Sequence, residues 1–290
     1  MTILFVILTA TFLPFYVYAW ETCGTDANGD TANCEYQIVN GTLTIRGTGD
    51  NGNIGNWYSE EKGFNTPWRA MHFQNVIIEN SIKNLCSYAF TEVHVTNPIQ
   101  LPSGLTELSY GAFAYTTAPE VIIPNSVTTF GHGVFFGSNI TKADIPVSVT
   151  DIGMGLRGSA FENIVVPNNV LYLPNSALSQ CINLKSITIG ENTQLGDVFS
   201  MLDETVGADV ANLTIYCTGN LEKCKTNVGE YLASNVASAT TKKINGVTYV
   251  YDKNGKLVTS SGHRTEKRIY TLEEANAVAG VKNRISIKYR

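Results

Sequence analysis

Residues 121–153 read VIIPNSVTTFGHGVFFGSNITKADIPVSVTDIG, and one phrase occurs in them twice. Ile123-Pro124-Asn125-Ser126-Val127-Thr128-Thr129-Phe130-Gly131 returns as Ile145-Pro146-Val147-Ser148-Val149-Thr150-Asp151-Ile152-Gly153. Before each proline lies a strand of the form apolar-x-x-apolar-x-apolar, Ala118/Val121/Ile123 and Ile140/Ala143/Ile145. Working outward, the same form recurs at Phe73/Val76/Ile78, Phe161/Ile164/Val166, Leu184/Ile187/Ile189 and Val210/Leu213/Ile215, with a degraded copy ending Ile99/Leu101. The last apolar positions are 78, 101, 123, 145, 166, 189 and 215. A period in the low twenties marks a repeat architecture. One such unit cannot bury its own apolar face, whereas a stack of them can. The expected fold is a right-handed solenoid with about six to seven repeats of ~22 residues and one parallel strand in each.

The remainder of each repeat keeps the phase. Pro102, Pro124, Pro146 and Pro167 follow the strand, with Gly190 in the next copy. Proline fixes φ and removes a donor, so it ends a strand and opens a turn. Apolar residues come three positions on (Ile82, Leu105, Val127, Val149, Val170) and again three later (Leu85, Leu108, Phe130, Ile152, Leu173). A large apolar side chain closes the unit at Phe90, Phe113, Phe135 and Leu178. These positions predict ladders of like side chains running through a continuous core. The copy at 146–166 breaks register: Arg157 occupies the slot, and Ala160-Phe161 supplies the ring.

Composition narrows the class. Charged residues make up 16% and the formal net charge is −5. Residues 242–290 hold eleven Lys/Arg against four Asp/Glu, so the rest of the chain is acidic. An acidic repeat stack lacks the basic stripe that nucleic acid requires, so no nucleic-acid partner is expected. Residues 3–19 are almost wholly apolar, too short for a comfortable membrane span. With Val17-Tyr18-Ala19 before Trp20, residues 1–19 read as a signal peptide cleaved after Ala19, a retained N-terminal anchor being the alternative. No membrane span is expected in the mature chain.

Six cysteines fit an oxidising compartment. Cys23 and Cys34 bracket one loop and Cys217 and Cys224 another, and both pairs are expected to be bridged. Cys86 and Cys181 lie about four rungs apart, roughly 19 Å at about 4.8 Å per rung. That exceeds the roughly 7 Å limit for a bridge. Both are expected to be buried thiols. No CxxC occurs and the four histidines are dispersed, so neither a metal site nor a cofactor is expected.

The expected domain boundaries are 20–74 for an N-terminal cap, 75–216 for the solenoid, 217–241 for a C-terminal helical cap and 242–290 for a basic hairpin and tail. In the first cap, Tyr36–Val39 and Thr42–Ile45 flank Asn40-Gly41, a strong hairpin signal. At the other end, Leu221–Ala237 is expected to be helical and Ile244–Tyr251 to form a hairpin with Lys256–Val258. In the tail, Thr271–Glu274 reads as a capping box and Arg284–Tyr289 as a last strand.

The Cys-Gly, the Asn-Gly-Thr-Leu-Thr-Ile strand, Gly-Thr-Gly, Pro67-Trp68 and the Ile-Pro-x-Ser-Val-Thr repeats together resemble the BspA-type leucine-rich repeat surface proteins, over about residues 20–217. The resemblance implies a leucine-rich repeat solenoid, mostly strand and turn. It also implies a secreted or cell-surface protein that adheres to a host or microbial surface protein or glycan, and no catalytic motif.

No catalytic constellation stands out. His72, His94, His132 and His263 have no phased partner. Asp144 and Asp151 are not held at the separation a glycosidase needs. The chain is therefore expected not to be an enzyme, with a polysaccharide-acting β-solenoid enzyme or a structural spacer as alternatives. Side chains alternate along a strand, so the residue between the last two apolar positions faces outward. The expected partner-binding face is Gln100, Ile122, Asp144, Val165 and Thr188.

Overall fold

Asn40 and Gly41 take φ of 48° and 73°, the left-handed pair that a two-residue hairpin turn demands. They join β1 (Cys34–Val39) to β2 (Thr42–Gly47) in antiparallel register, Tyr36 opposite Ile45. The computed structural model describes residues 19–25, 29, 32–49, 51–61, 63–199, 212–230, 232–245, 247–261, 272 and 276. Residues 1–18 of the expected leader, Val210, His263, most of the capping box (Thr271, Glu273, Glu274) and the strand Arg284–Tyr289 lie outside them.

The strand β2 doubles as the first member of the repeat ladder. It pairs in parallel with β3 (Asn75–Ile78), Leu43 beside Val76 and Ile45 beside Ile78. Next come β4 (Ile99–Gln100) and β5 (Val121–Ile122), also parallel. At the following repeat the ladder thins to one bridge, Val121 to Ala143. A second parallel run takes over with β6 (Asn163–Val165), β7 (Ser186–Ile189) and β8 (Thr214–Cys217). The two runs belong to separate sheets. The break falls just before the repeat whose turn departs from the pattern, at Gly153–Gly158.

The interior behaves as a set of ladders. Val76, Val121, Ile164 and Ile187 on the strands are buried, as are Leu105, Val127, Val149 and Val170 after the prolines. The ring ladder begins one step before the repeats. Trp68 is fully buried, donates its Nε1–H to the Ala89 carbonyl at 2.8 Å and stacks on Phe90 at 6.1 Å. Phe90 stacks on Phe113 at 5.4 Å, Phe113 on Phe135 at 5.9 Å, and Phe161 meets Phe135 edge-on at 5.2 Å. In the irregular copy Leu156, not Arg157, is buried, and Arg157 turns outward with its guanidinium 5.5 Å over the Phe136 ring.

Phe90, Phe113, Phe135 and Leu178 each sit in a turn with two left-handed residues. Two positions before each stand Tyr88, Gly111, Gly133 and Ser176, with φ between 57° and 64°. Two positions after each stand Glu92, Tyr115, Gly137 and Gln180, with φ between 56° and 62°. This geometry points turn amides at the next repeat, as in Phe90 N–H to Ala112 O and Phe113 N–H to Val134 O, both 2.8 Å. Those bonds satisfy the turn backbone without regular strand there.

At the C-terminal end the helix α1 (Leu221–Val228) is shorter than its expected run to Ala237. Asn220 caps it, accepting from Lys223 N–H, and Gly229 ends it at φ 79°. After a 3-10 turn at Ala233–Asn235 comes a strand, β9 (Val236–Ile244), parallel to β8 and antiparallel to β10 (Val247–Asp252). Val236-Ala-Ser-Ala-Thr-Thr is rich in β-branched side chains, which a pleated surface accommodates better than a helix. The expected hairpin forms between β10 and β11 (Leu257–Ser261). The sheet β6-β7-β8-β9-β10-β11 curls until β11 touches β6. Both faces of β7 are then buried, and so are Tyr249, Val250 and Tyr251 on the two faces of β10.

Cys23 is bonded to Cys34, with Cα atoms 5.4 Å apart, and Cys217 to Cys224, at 6.2 Å. Cys86 and Cys181 form no disulfide. Cys181 is buried, and burial pushes its thiol pKa up, which makes it a poor nucleophile. Cys86 is only half-buried, a correction to its expected place in the core: its backbone is left-handed at φ 57°, and its Sγ–H donates to Asn53 Oδ1.

Candidate functional site

The outward strand residues do not form one open face. Gln100 is exposed and Ile122 is half-buried on the first sheet, next to an exposed Ile77. Asp144 lies at the break between the sheets, 3.5 Å from Lys142 Nζ, and Lys142 also pairs with Glu120. Val165 is half-buried in a cleft of about 490 Å³ that Asp144, Glu162, Thr259 and Ser260 also line. Thr188 corrects the expectation outright. It points away from the repeat core yet is only 2% exposed, because the curled C-terminal sheet encloses that face of β7. A contact between strands as far apart in sequence as β6 and β11 leaves no trace in the repeat pattern.

A different surface gathers the chemistry. On the turn side of the stack, Tyr58, Phe64, Tyr88 and Tyr110 form a chain of rings. Centroid distances are 5.2 Å for Tyr58–Phe64, 4.9 Å for Phe64–Tyr88 and 5.3 Å for Tyr88–Tyr110. The imidazole of His132 continues it, nearly parallel to Tyr110 at 6.3 Å. Beside this row, Tyr115 meets Phe136 at 5.6 Å, and Arg157 lies over Phe136. The rows border a groove of about 250 Å³ whose remaining wall includes Gly111, Gly133 and Met154. Tyr110 is 51% exposed and Tyr115 44%, high values for large rings in a folded chain.

Glycines seat the rings. A Cβ on Gly111 would stand 2.4 Å from Tyr88 Cε1, and one on Gly137 would stand 2.6 Å from Tyr115 Cε1. Phe136 lies in the same way across Gly158, where a Cβ would meet its Cδ2 at 2.8 Å. Each ring thus lies flat on the next repeat. Tyr88 and Tyr115 themselves hold left-handed backbone that other repeats give to Gly111, Gly133 and Gly137, or to Glu92, Ser176 and Gln180. Such a conformation costs a bulky L-residue about 1–2 kcal/mol. Strain of this kind concentrates at binding sites.

The electrostatics of the groove are simple. Arg157 is its one formally charged residue. Among the described residues Arg46 pairs with Glu35 and Arg69 with Glu92, while Arg157 has no acidic partner. Burial pushes the Tyr88 phenol pKa up, helped by its hydrogen bond with Tyr110, so Tyr88 faces a ligand as a neutral phenol at ordinary pH. Among the described residues no three metal-ligating side chains cluster.

Sequence reasoning missed this surface. A signal was present: tyrosine at 88 and 115 stands where glycine stands at 111, 133 and 137.

Residues 68–158 and 156–197 match the BspA type Leucine rich repeat region, in six copies. No curated protein matches the chain. A leucine-rich repeat protein from Bacteroides ovatus is similar over 65% of this chain, at 18% identity and a TM-score of 0.37; the match spans 54% of that protein. The leucine-rich repeat protein of T. pallidum is similar over 61% of this chain and 90% of its own, at 15% identity and a TM-score of 0.28. A leucine rich cell surface protein from Faecalibacterium prausnitzii is similar over 56% of this chain and 70% of its own, at 14% identity and a TM-score of 0.22. The repeat region of this chain, residues 68–197, belongs to the BspA-type leucine-rich repeat family.

Proposed function

We propose that this chain is a secreted or surface-held adhesion protein, without catalysis, that seats a protein or glycan partner in the aromatic groove of its turn side. The carrying observation is the pair Tyr88 and Tyr115, exposed or half-buried rings kept at positive φ on glycine seats. Ser176, Glu92 and Gln180 also hold these left-handed positions, but at 88 and 115 the strained residue is a large ring, and strain of this kind concentrates at binding sites. The two bridged cysteine pairs support an oxidising location. Among the described residues no helix is long and apolar enough to cross a membrane. In this reading the stack is a right-handed solenoid of about six to seven repeats. Its caps are the N-terminal hairpin and the C-terminal helix and sheet.

The test is adhesion of the fluorescently labelled chain to fixed cells and to wells coated with matrix proteins. Replacing Tyr88, Tyr110 and Tyr115 by Ala should abolish retention with the circular dichroism spectrum unchanged. Retention equal to the parent's would sink this site. A second reading rests on the cleft at the sheet break. There a triple change of Ile122, Asp144 and Val165 to Ser would abolish retention instead. A polysaccharide-acting enzyme would release reducing ends from polysaccharide, and the proposed adhesin releases none.

A further inference from the structure

We infer that the aromatic groove binds a hexuronic acid residue of a glycan chain, its carboxylate held by Arg157 and its pyranose ring laid on the exposed Tyr110. The inference rests on the proposed binding role of this groove and names its ligand class. Three observations carry it. The first is charge: among the described residues Arg157 is a cation without an acidic partner, in a chain of net charge −5, and no carboxylate of those residues lines the groove. Planar guanidinium and planar carboxylate match in geometry.

The second is the shape of the walls. A pyranose in its chair form offers a flat C–H face to an aromatic ring and an equatorial edge of hydroxyls to donors and acceptors. The groove supplies both, since the Tyr110 and Phe136 rings, the phenols and the His132 imidazole all line it. At about 250 Å³ it suits one or two sugar residues at a time.

The third observation disfavours a peptide. An extended peptide takes much of its affinity from an exposed edge of backbone donors and acceptors. Here the turn amides are already used between repeats: Tyr88 N–H to Tyr110 O, Gly111 N–H to His132 O, Gly133 N–H to Met154 O, Tyr115 N–H to Phe136 O and Gly137 N–H to Gly158 O. What remains is side chain, and a sugar needs no more.

The experiment titrates the intact chain with a hyaluronan tetrasaccharide and with its carboxyl methyl ester, following the tyrosine ring signals by NMR. The acid form should bind at least tenfold more tightly than the ester. Arg157→Gln should bring the two to equal affinity, and Arg157→Lys should restore part of the preference. Thermal melting shows that each variant is folded. Equal affinity of acid and ester in the parent overturns the inference. So does binding of sialyllactose or an acidic peptide in the same groove with no binding of the tetrasaccharide. In those cases, loss of cell retention in the triple tyrosine variant keeps the groove as a binding site. Unchanged retention removes both readings.

Discussion

Phe113 and Tyr115 stand two residues apart in one turn and do opposite things. Phe113 is fully buried between Phe90 and Phe135, so its ring supports two neighbouring repeats. Phe113→Ala should cost about 3–5 kcal/mol through lost burial and a cavity. A urea midpoint within error of the parent's would show that this ring is not core. Tyr115 is nearly half exposed, at φ 56°, with ring contacts to Phe64 at 6.4 Å and edge-on to Phe136 at 5.6 Å. Glycine there relieves about 1–2 kcal/mol of backbone strain and forfeits two aromatic contacts worth about 0.5–1.5 kcal/mol each. Tyr115→Gly should therefore leave stability within about 2 kcal/mol of the parent while reducing retention on cells. A large stability loss with normal retention would mark Tyr115 as structural. The ring ladder was legible in the sequence because interior positions keep one residue type at one spacing. The groove was not, because Tyr88, Gly111 and Gly133 share a position and differ in kind.

Among the elements, the turn of the N-terminal hairpin was readable to the residue, since Asn40-Gly41 dictates both turn and register, while its strands run two residues further out, Cys34–Val39 and Thr42–Gly47. The stretch after α1 was not. Alanines at 237 and 239 suit a helix in isolation, but the open edge of β8 offers a ladder that β9 fills. Tertiary pairing overrides local preference there. The hairpin carries its own pH response. The Tyr36 hydroxyl donates to Glu21 Oε2 at 2.9 Å, and burial followed by that hydrogen bond raises its pKa from 10.0 to about 12. The protonated phenol is the favoured folded form, so its contribution is complete below pH 10 and is lost as pH rises towards about 12. Tyr36→Phe should remove the part of the alkaline unfolding that falls in that window, read by thermal melts at stepped pH. At the other end, Cys217–Cys224 pins α1 against the last repeat strand. Replacing both cysteines by serine should cost about 2–3 kcal/mol by the chain-entropy relation for so short a loop. An unchanged melting midpoint would mean that helix packing alone holds this end.

For the whole molecule, the two ends close the stack by different means. A parallel stack has two open edges, and an unpaired edge invites pairing with another chain. At the start, β2 is both hairpin strand and first rung, with Trp68 beneath it opening the ring ladder. At the far end, β9 pairs along β8, and β10 and β11 then fold back until β11 reaches β6. That return buries Thr188 and half-buries Val165, so the second half of the strand face is interior rather than available. The repeat period made the stack legible but carries no information about which surface a later segment covers. A chain ending at Asn235 tests this closure. It retains every repeat and α1, loses β9 to β11, and exposes both the β8 edge and Thr188. It should self-associate at micromolar concentration, seen by size exclusion with light scattering, and melt at lower temperature than the full chain. The aromatic groove is built from residues 58–157 and shares no strand with that end. Retention on cells should therefore survive in the monomeric fraction. If the truncated chain stays monomeric with an unchanged melting midpoint, the C-terminal sheet is not the closure of the stack. If it loses retention as a folded monomer, the partner touches the C-terminal sheet, and the cleft at the sheet break gains over the aromatic groove.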